Sequence, residues 1–145
     1  MEAFNQKFRV EELLIARVGA WNISLRPQQP TIGSLILSLS RKCPSFSELT
    51  EQEAIELGQS FKEIEKLLGR AFSPQKINYL ALMMVDNQVH YHVLPRYAAP
   101  IVVDGVEYED KCWPLPHNLE PIDGANESIV TLIFDYIMAS NERKN

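Results

Sequence analysis

The stretch Gln88–Arg96 constrains the fold of this chain more than any other part of the sequence. Successive side chains of a β-strand point to opposite faces. One face would therefore carry Gln88, His90 and His92 about 7 Å apart, because each residue advances a strand by roughly 3.3 Å. The positions between them are apolar and suit a core. Two imidazoles side by side on a strand leave three interpretations: the row performs chemistry, binds a metal, or lies on a solvated surface.

The bulk properties of the sequence narrow the class of protein. The 145 residues fit one domain, residues 1–145, and an apolar fraction of 46% is typical of a globular chain with a single core. The net charge of −5 disfavours nucleic acid as a partner, although a local cluster of opposite sign can still bind small anionic ligands.

The cysteines and the N-terminus give an expectation for the compartment. Cys43 and Cys112 form no close pair, which excludes a CxxC zinc or redox motif and favours a reducing compartment. Residues 1–7 lack the apolar run of a signal peptide, and the sequence has no stretch of about 18 apolar residues that predicts a membrane span. We therefore expect a cytoplasmic protein with no membrane association.

Two strands are predicted in the first third of the chain. Trp21–Leu25 alternates apolar and polar residues, as a half-buried strand does, and Ser34–Ser40 forms a second run. Residues 26–33 between them hold two prolines and a glycine and predict a turn, so the strands should form an antiparallel pair. Upstream, Phe8–Ala20 is predicted as a short helix that passes into a strand.

A long helix is the surest single element. Thr50 and Glu53 match a capping box, in which each side chain accepts from the other residue's backbone N–H. An apolar stripe continues from there to Leu68, and Gly69 is placed to end the helix. These features predict a helix of roughly four to five turns.

The segment after this helix is predicted to lead directly into the histidine strand. Ile77–Val85 is apolar at both alternating sets of positions, which predicts a central strand covered on both faces. Asp86–Asn87 then predicts a tight turn, and Pro95 is predicted to end the strand that follows.

The last third is predicted to be irregular up to one final helix. Residues 98–124 contain four of the nine prolines and predict a long loop with a short hairpin around Asp104–Gly105. Apolar residues at helical spacing predict a helix from about residue 126 to 141, and Glu142–Asn145 is predicted to be frayed. Strands joined by short turns, together with two helices, predict the α+β class with an antiparallel sheet.

The sequence resembles the histidine triad superfamily, whose signature alternates histidine with apolar residues. Gln88–Arg96 matches the signature at every position but the first, and the resemblance extends over most of residues 21–97. It includes the proline-rich turn before Gly33–Leu37, the helix opened by Leu49–Glu53, and the strand Lys76–Tyr79. In character the sequence is most similar to the small bacterial-type hydrolases of dinucleoside polyphosphates and nucleotidyl conjugates.

The resemblance implies a fold and a mechanism. The fold would be an antiparallel five-stranded sheet with a long helix and a C-terminal helix, usually in a homodimer. By motif position, His90 would be the nucleophile that forms a covalent nucleotidyl intermediate at the α-phosphate, since neutral imidazole is a good nucleophile. His92 would donate to the phosphate oxygens. The family's chemistry implies no metal and no cofactor.

The sequence departs from the family pattern at three places. Gln88 stands where the first triad histidine is expected; it can donate a hydrogen bond but cannot transfer a proton. The link Val85–Asn87 lacks the glycine- and serine-bearing loop that wraps the α-phosphate in many relatives. The residue that binds the ribose would be Ser24 or Arg26, depending on alignment.

Arg96 and two alternative readings of the histidine pair complete the set of candidates. Arg96 could bind a distal phosphate as a bidentate fork. A closed zinc site requires four ligands, so His117 and Cys112 would have to join His90 and His92. The main alternative to an enzyme is a non-catalytic nucleotide-binding or signalling module in which loss of the first histidine has silenced the reaction.

Overall fold

The computed structural model describes residues 1–142. Those residues form three α-helices, one short 3-10 helix at Phe46–Glu48, and seven strands. In chain order the labelled elements are α1 (Glu2–Lys7), β1 (Leu14–Val18), β2 (Trp21–Leu25), β3 (Leu35–Leu39), α2 (Glu51–Ala71), β4 (Lys76–Leu80), β5 (His90–Arg96), β6 (Ile101–Val103), β7 (Val106–Tyr108) and α3 (Glu127–Glu142).

The main sheet has five strands in the order β1-β2-β3-β5-β4, and every neighbouring pair is antiparallel. The predicted α+β class, with a five-stranded antiparallel sheet, a long helix and a C-terminal helix, is confirmed. The predicted pairing of Trp21–Leu25 with the following strand is confirmed as β2 and β3. The histidine strand β5 lies between β3 and β4, so hydrogen bonds on both sides hold its backbone in place.

The two faces of the sheet are covered differently. The face that carries Val89 and Val93 belongs to the main hydrophobic core, which includes buried residues of α2 and α3. On β2 all five residues are buried, which the alternation of polar and apolar residues did not predict. The opposite face carries His90 and His92. There Phe4 of α1, together with Phe8 and Val10 just after this helix, forms a second small cluster around Ile36 of β3.

The long helix begins as predicted and ends later. Thr50 is its N-cap, and both hydrogen bonds of the predicted capping box with Glu53 are present. The carboxylate of Glu53 also accepts two hydrogen bonds from Arg41, at 2.7 and 2.8 Å. The helix does not end at Gly69 but continues to Ala71, because contacts of its last turn with the core outweigh the modest helix-breaking effect of an interior glycine.

The strand predicted at Ile77–Val85 is present only as far as Leu80, and the prediction that it is central is wrong. The strand β4 ends at Leu80 and lies at the edge of the sheet. Met83 adopts a left-handed backbone with φ of 53°, which interrupts an extended strand, and the side chains of Met84 and Val85 are more than 80% exposed. The connection to β5 is therefore a longer link, residues 81–89, rather than the predicted two-residue turn.

In the segment Phe8–Ala20 the predicted strand is present as β1, but residues 8–13 form turns rather than the predicted short helix. The other predictions differ little from the structure. The hairpin predicted around Asp104–Gly105 is formed by β6 and β7, and α3 begins one residue later than predicted. The strand β5 continues one residue past Pro95. Of the tail predicted to be frayed, Glu142–Asn145, the first residue belongs to α3, and residues 143–145 lie outside the described residues. No helix within residues 1–142 combines the length and the apolar character needed to span a membrane.

Candidate active site

A cavity of about 440 Å³ lies beside the two histidines of β5. Five parts of the chain form its walls: the end of α1 with the residue after it, the loop after β2, the link between β4 and β5, β5 itself, and the segment between β7 and α3. The lining residues are Lys7, Phe8, Arg26, Pro27, Gln28, residues 82–86, His90, His92 and Leu119. This volume is sufficient for part of a nucleotide-sized ligand.

His90 is held in one tautomer by the backbone. Its Nδ1 is hydrogen-bonded to the carbonyl oxygen of Gln88, two residues earlier on the same strand. A carbonyl oxygen can only accept, so Nδ1 carries the proton and Nε2 keeps its lone pair. Burial lowers the pKa of His90, and the bond to the carbonyl opposes this only in part. His90 is therefore a neutral imidazole with a nucleophilic nitrogen at neutral pH.

His92 is the neighbouring ring on the same face. The ring centroids of His90 and His92 are 5.0 Å apart in an edge-to-face arrangement. Burial, together with the positive charge of Arg26, lowers the pKa of His92 to about 4. Nε of Arg26 donates to Nδ1 of His92 over 3.5 Å, a long contact, which leaves the proton of the neutral ring on Nε2. The pair therefore offers one acceptor nitrogen and one N–H donor.

The helix α1 and the residue that caps its C-terminus cover the histidines with two aromatic rings. The ring of Phe4 lies edge-on to His90 with centroids 5.0 Å apart, and Phe8 lies 6.1 Å from His90 and 6.2 Å from His92. These contacts account for the low exposure of both imidazoles, 2% for His90 and 7% for His92. The helix at residues 2–7 was not predicted from the sequence, although Phe4 and Phe8 are four residues apart, a spacing typical of a helix.

The loop after β2 is built around a buried glutamine. Nε2 of Gln29 donates to the carbonyls of Arg26 and Ser34, and its Oε1 accepts from the N–H groups of Gly33 and Ser34. All of these contacts lie between 2.7 and 3.2 Å. The backbone of Arg26 is thereby fixed at the cavity wall, and its guanidinium also donates to the carbonyl of Gln28.

Lys7 and Asp86 form an ion pair at the edge of the cavity. Nζ of Lys7 lies 2.9 Å from Oδ2 of Asp86 and 5.2 Å from the centre of the Phe8 ring. The pair joins α1 to the link between β4 and β5, which are 79 residues apart in sequence. This contact could not be predicted from the sequence, because no local pattern indicates that these two segments meet.

Gln88 does not lie among the cavity residues. Its Oε1 accepts from the N–H of Cys43, and its Nε2 donates to the carbonyls of Leu39 and Arg41, at 2.7 to 2.9 Å. Because these three bonds use the amide's acceptor and both of its donors, the side chain is not free to donate to a phosphate. In this structure Gln88 fastens the chain after β3 to the start of β5.

Arg96 is also placed away from the cavity. Its guanidinium forms a buried bidentate pair with Asp110, with contacts of 2.6 and 3.1 Å, and donates to Asn78 and to the carbonyl of Leu115. Burial opposes ionisation of Asp110, but the hydrogen bonds from Arg96 and the backbone hold its pKa below the usual range. The predicted distal-phosphate role is not compatible with this arrangement, since the fork is already occupied by a carboxylate.

Of the two candidates for the ribose contact, only Arg26 reaches the cavity wall. Ser24 lies on the same face of the sheet, but it is fully buried, and its hydroxyl has no hydrogen-bond partner among the described residues. The zinc interpretation finds no support in the geometry. Among residues 1–142 no three His, Cys, Asp or Glu side chains come together where they could hold a metal ion, so His117 and Cys112 do not complete a site with the histidine pair.

Comparison with known proteins places this geometry in a fold class. A histidine triad protein from Sinorhizobium meliloti superposes with a TM-score of 0.68 at 24% identity, over 91% of this chain and 93% of that chain. A histidine triad protein from Marinobacter aquaeolei gives a TM-score of 0.69 at 17% identity, over 94% of this chain and 95% of that chain. A hypothetical histidine triad nucleotide-binding protein from Sulfolobus tokodaii gives 0.68 at 14% identity, over 90% and 83%.

These likenesses show that the chain has the fold of the histidine triad proteins. The scan against protein-family models gives no match, and the search of curated proteins gives none. The particular activity of this chain therefore has to be argued from its own site.

We predict that Gln88 contributes to stability through its three backbone partners. Gln88→Met keeps most of the volume but removes the partner of the buried Cys43 N–H, of the buried Leu39 carbonyl and of the part-buried Arg41 carbonyl, and we expect the free energy of unfolding to fall by about 3 kcal/mol. Urea denaturation measures this value. The matched control is Gln52→Met at an exposed position of α2, where the change should be within about 0.5 kcal/mol. A Gln88→Met protein as stable as the control would contradict the structural role.

We also predict a loss of stability in mild acid that depends on His92. The folded chain protonates His92 only near pH 4, whereas the unfolded chain protonates it near the ordinary pKa of 6.5, so the unfolded state binds more protons in between. The free energy of unfolding should therefore fall as the pH is lowered through this window. Denaturant titrations of wild type and His92→Asn should show a smaller fall in the variant. Equal pH slopes in the two proteins would refute the prediction.

Proposed function

We propose that this protein is a nucleotide hydrolase or nucleotidyl transferase that acts at the α-phosphate of a nucleotidyl conjugate through His90. The observation that carries the proposal is the neutral His90, fixed through Nδ1 by a backbone carbonyl at the wall of a cavity. The fold shared with histidine triad proteins, one of which is described as nucleotide-binding, supports a nucleotide as the ligand.

The proposed reaction has two displacements at phosphorus. Nε2 of His90 forms a bond to the α-phosphorus, and the bond from phosphorus to the leaving-group oxygen breaks, with its electron pair departing on that oxygen. A water molecule then attacks the same phosphorus and loses a proton to the solvent, while the N–P bond breaks with its electron pair returning to Nε2, which restores the neutral imidazole. The rigid strand favours a fixed line of approach in both steps.

The groups around His90 are suited to stabilise the charge that grows on the phosphate oxygens. His92 presents an N–H donor, and the guanidinium of Arg26 lies beside it at the cavity wall. Because burial lowers the local dielectric, such donors act more strongly there than in water. Arg26 is also the proposed contact for the ribose or phosphate of the ligand.

The second candidate function is a non-catalytic nucleotide-binding module. The observation that favours it is the covering of His90 by Phe4, which leaves the nucleophile almost without exposed surface. In that case the cavity would hold a nucleotide without attack on phosphorus. The two functions differ in one observable, a covalent bond between protein and nucleotide.

We further propose that two copies of the chain form a homodimer through β4. This strand pairs with β5 on one side and lies at the sheet edge on the other, and the exposed apolar side chains of Leu82, Met84 and Val85 follow it. Unpaired strand edges and exposed apolar patches are frequent sites of association. Light scattering should give twice the mass of one chain; the mass of a single chain would contradict the proposal.

The proposed enzyme should form a covalent nucleotide adduct on His90. Rapid acid-free quench of the wild-type protein with a dinucleoside polyphosphate, followed by intact-mass measurement, should show the added mass of one nucleotidyl group. His90→Ala should abolish both adduct and turnover, because the imidazole supplies the attacking nitrogen. His117→Ala is the matched control, since the third histidine of the chain does not line the cavity.

The outcomes separate the two functions. An adduct in the wild-type and His117→Ala proteins but not in His90→Ala establishes the hydrolase or transferase. Nucleotide binding without adduct or turnover across a broad panel of conjugates establishes the binding module instead.

A further inference from the structure

The charged residues of the cavity are divided between a buried end and an open end. His90, His92 and Arg26 are each at most 9% exposed and form the buried end. Lys7 and Asp86 form the open end, where the side chain of Lys7 is 50% exposed. A ligand whose α-phosphate reaches His90 would therefore extend another part past Lys7.

Lys7 is the cation of this cavity that a ligand can most easily recruit. The guanidinium of Arg26 is already directed to His92 and to the carbonyl of Gln28. The ammonium of Lys7 is bound to the carboxylate of Asp86 alone among the hydrogen bonds of the described chain. A solvent-exposed ion pair of this kind contributes little to stability, so a more highly charged anion can replace the carboxylate.

The position of Lys7 also links it to the reacting histidines. Its ammonium lies 5.2 Å above the ring of Phe8, and the same ring lies against both His90 and His92. The charges of Lys7 and Asp86 act on the pKa of His90 in opposite directions, which indicates that both are within electrostatic reach of that ring. The ion pair therefore lies beside the reaction centre and on the solvent side of it.

We propose that Lys7 is a specificity-determining residue that binds the phosphates beyond the α-phosphate, with Asp86 as its internal substitute when no ligand is present. The substrate class is then nucleoside polyphosphates and their conjugates, in which two or more phosphates are linked, rather than conjugates of a single phosphate. This inference rests on the proposed function, since it takes the α-phosphate to lie at His90.

The proposed substrate class agrees with the fact that Gln88 cannot donate a proton to the leaving group. Gln88 holds three backbone groups and offers no proton to a leaving group. A polyphosphate leaves readily as an anion and needs no proton, whereas an alkoxide or an amine does. A lysine that binds the departing phosphates would stabilise the charge that such a leaving group acquires.

The test compares the binding of adenosine monophosphate with that of α,β-methylene adenosine triphosphate, which has the same nucleoside and cannot be cleaved at the α–β bridge. Calorimetric titration of the wild-type protein should show tighter binding of the triphosphate analogue. Lys7→Gln should weaken the binding of the analogue by about tenfold, the size expected for loss of one charge-assisted contact. It should leave the affinity for the monophosphate within about twofold of the wild-type value. Asp86→Asn should tighten the analogue, because it removes the competing carboxylate.

The matched control is Lys111→Gln, an exposed lysine that is also paired with an aspartate but lies outside the cavity. It should change neither affinity. Equal affinities of the wild-type protein for the two ligands, binding of neither, or an equal effect of Lys7→Gln on both would overturn the assignment of Lys7.

These outcomes are independent of those that test catalysis. If an adduct forms on His90 but Lys7→Gln has no selective effect, the phosphate-binding role of Lys7 is refuted and the enzymatic function is retained. If Lys7→Gln selectively weakens binding of the triphosphate analogue but the wild-type protein forms no adduct, Lys7 is retained as a phosphate-binding residue and the enzymatic function is refuted.

Discussion

The hydrogen bond from Nδ1 of His90 to the carbonyl of Gln88 is the interaction on which the site depends. It settles which nitrogen carries the proton, and it fixes the rotation of the ring about the strand. The carbonyl can serve this purpose only because β5 is hydrogen-bonded to β3 and β4 on its two sides and does not shift. On the other face of the sheet, the buried side chains of Val89 and Val93 pack in the main core, and this packing prevents β5 from rotating about its axis. The position of β5 in the sheet therefore determines the tautomer of His90.

The aromatic cover on this face has two effects that oppose each other. Phe4 and Phe8 remove both imidazoles from water, and this burial lowers the pKa of each ring. The neutral form that nucleophilic attack requires is thereby favoured at neutral pH for both rings, and for His92 down to about pH 4. The same rings narrow the approach to His90, so a ligand must enter from the open end, between α1 and the link that follows β4. Access and protonation state are therefore both set by one short helix.

The parts of the molecule that the sequence predicts are those determined by neighbours along the chain. The capping box of α2 and the two-residue period of β5 are local patterns, and both are present in the structure. The predicted extent of β4 was wrong, because an apolar run does not distinguish a central strand from an edge strand that continues into an exposed link. The environment of Arg96 depends on Asp110, fourteen residues away in an irregular segment, and no periodicity indicates such a contact. The same holds for Lys7 and Asp86.

Gln88 shows why a departure from a sequence signature need not be read as a loss of function. The side chain has to accept from one buried N–H and donate to two carbonyls, of which that of Leu39 is buried and that of Arg41 is part-buried. A neutral imidazole has one donor and one acceptor, so a histidine at this position would leave one of the carbonyls without a partner, and a protonated one would face the N–H of Cys43 with no acceptor. An amide meets all three demands and does not titrate. The glutamine is therefore explained by the backbone that follows β3, and its presence alone does not decide between catalysis and binding at His90.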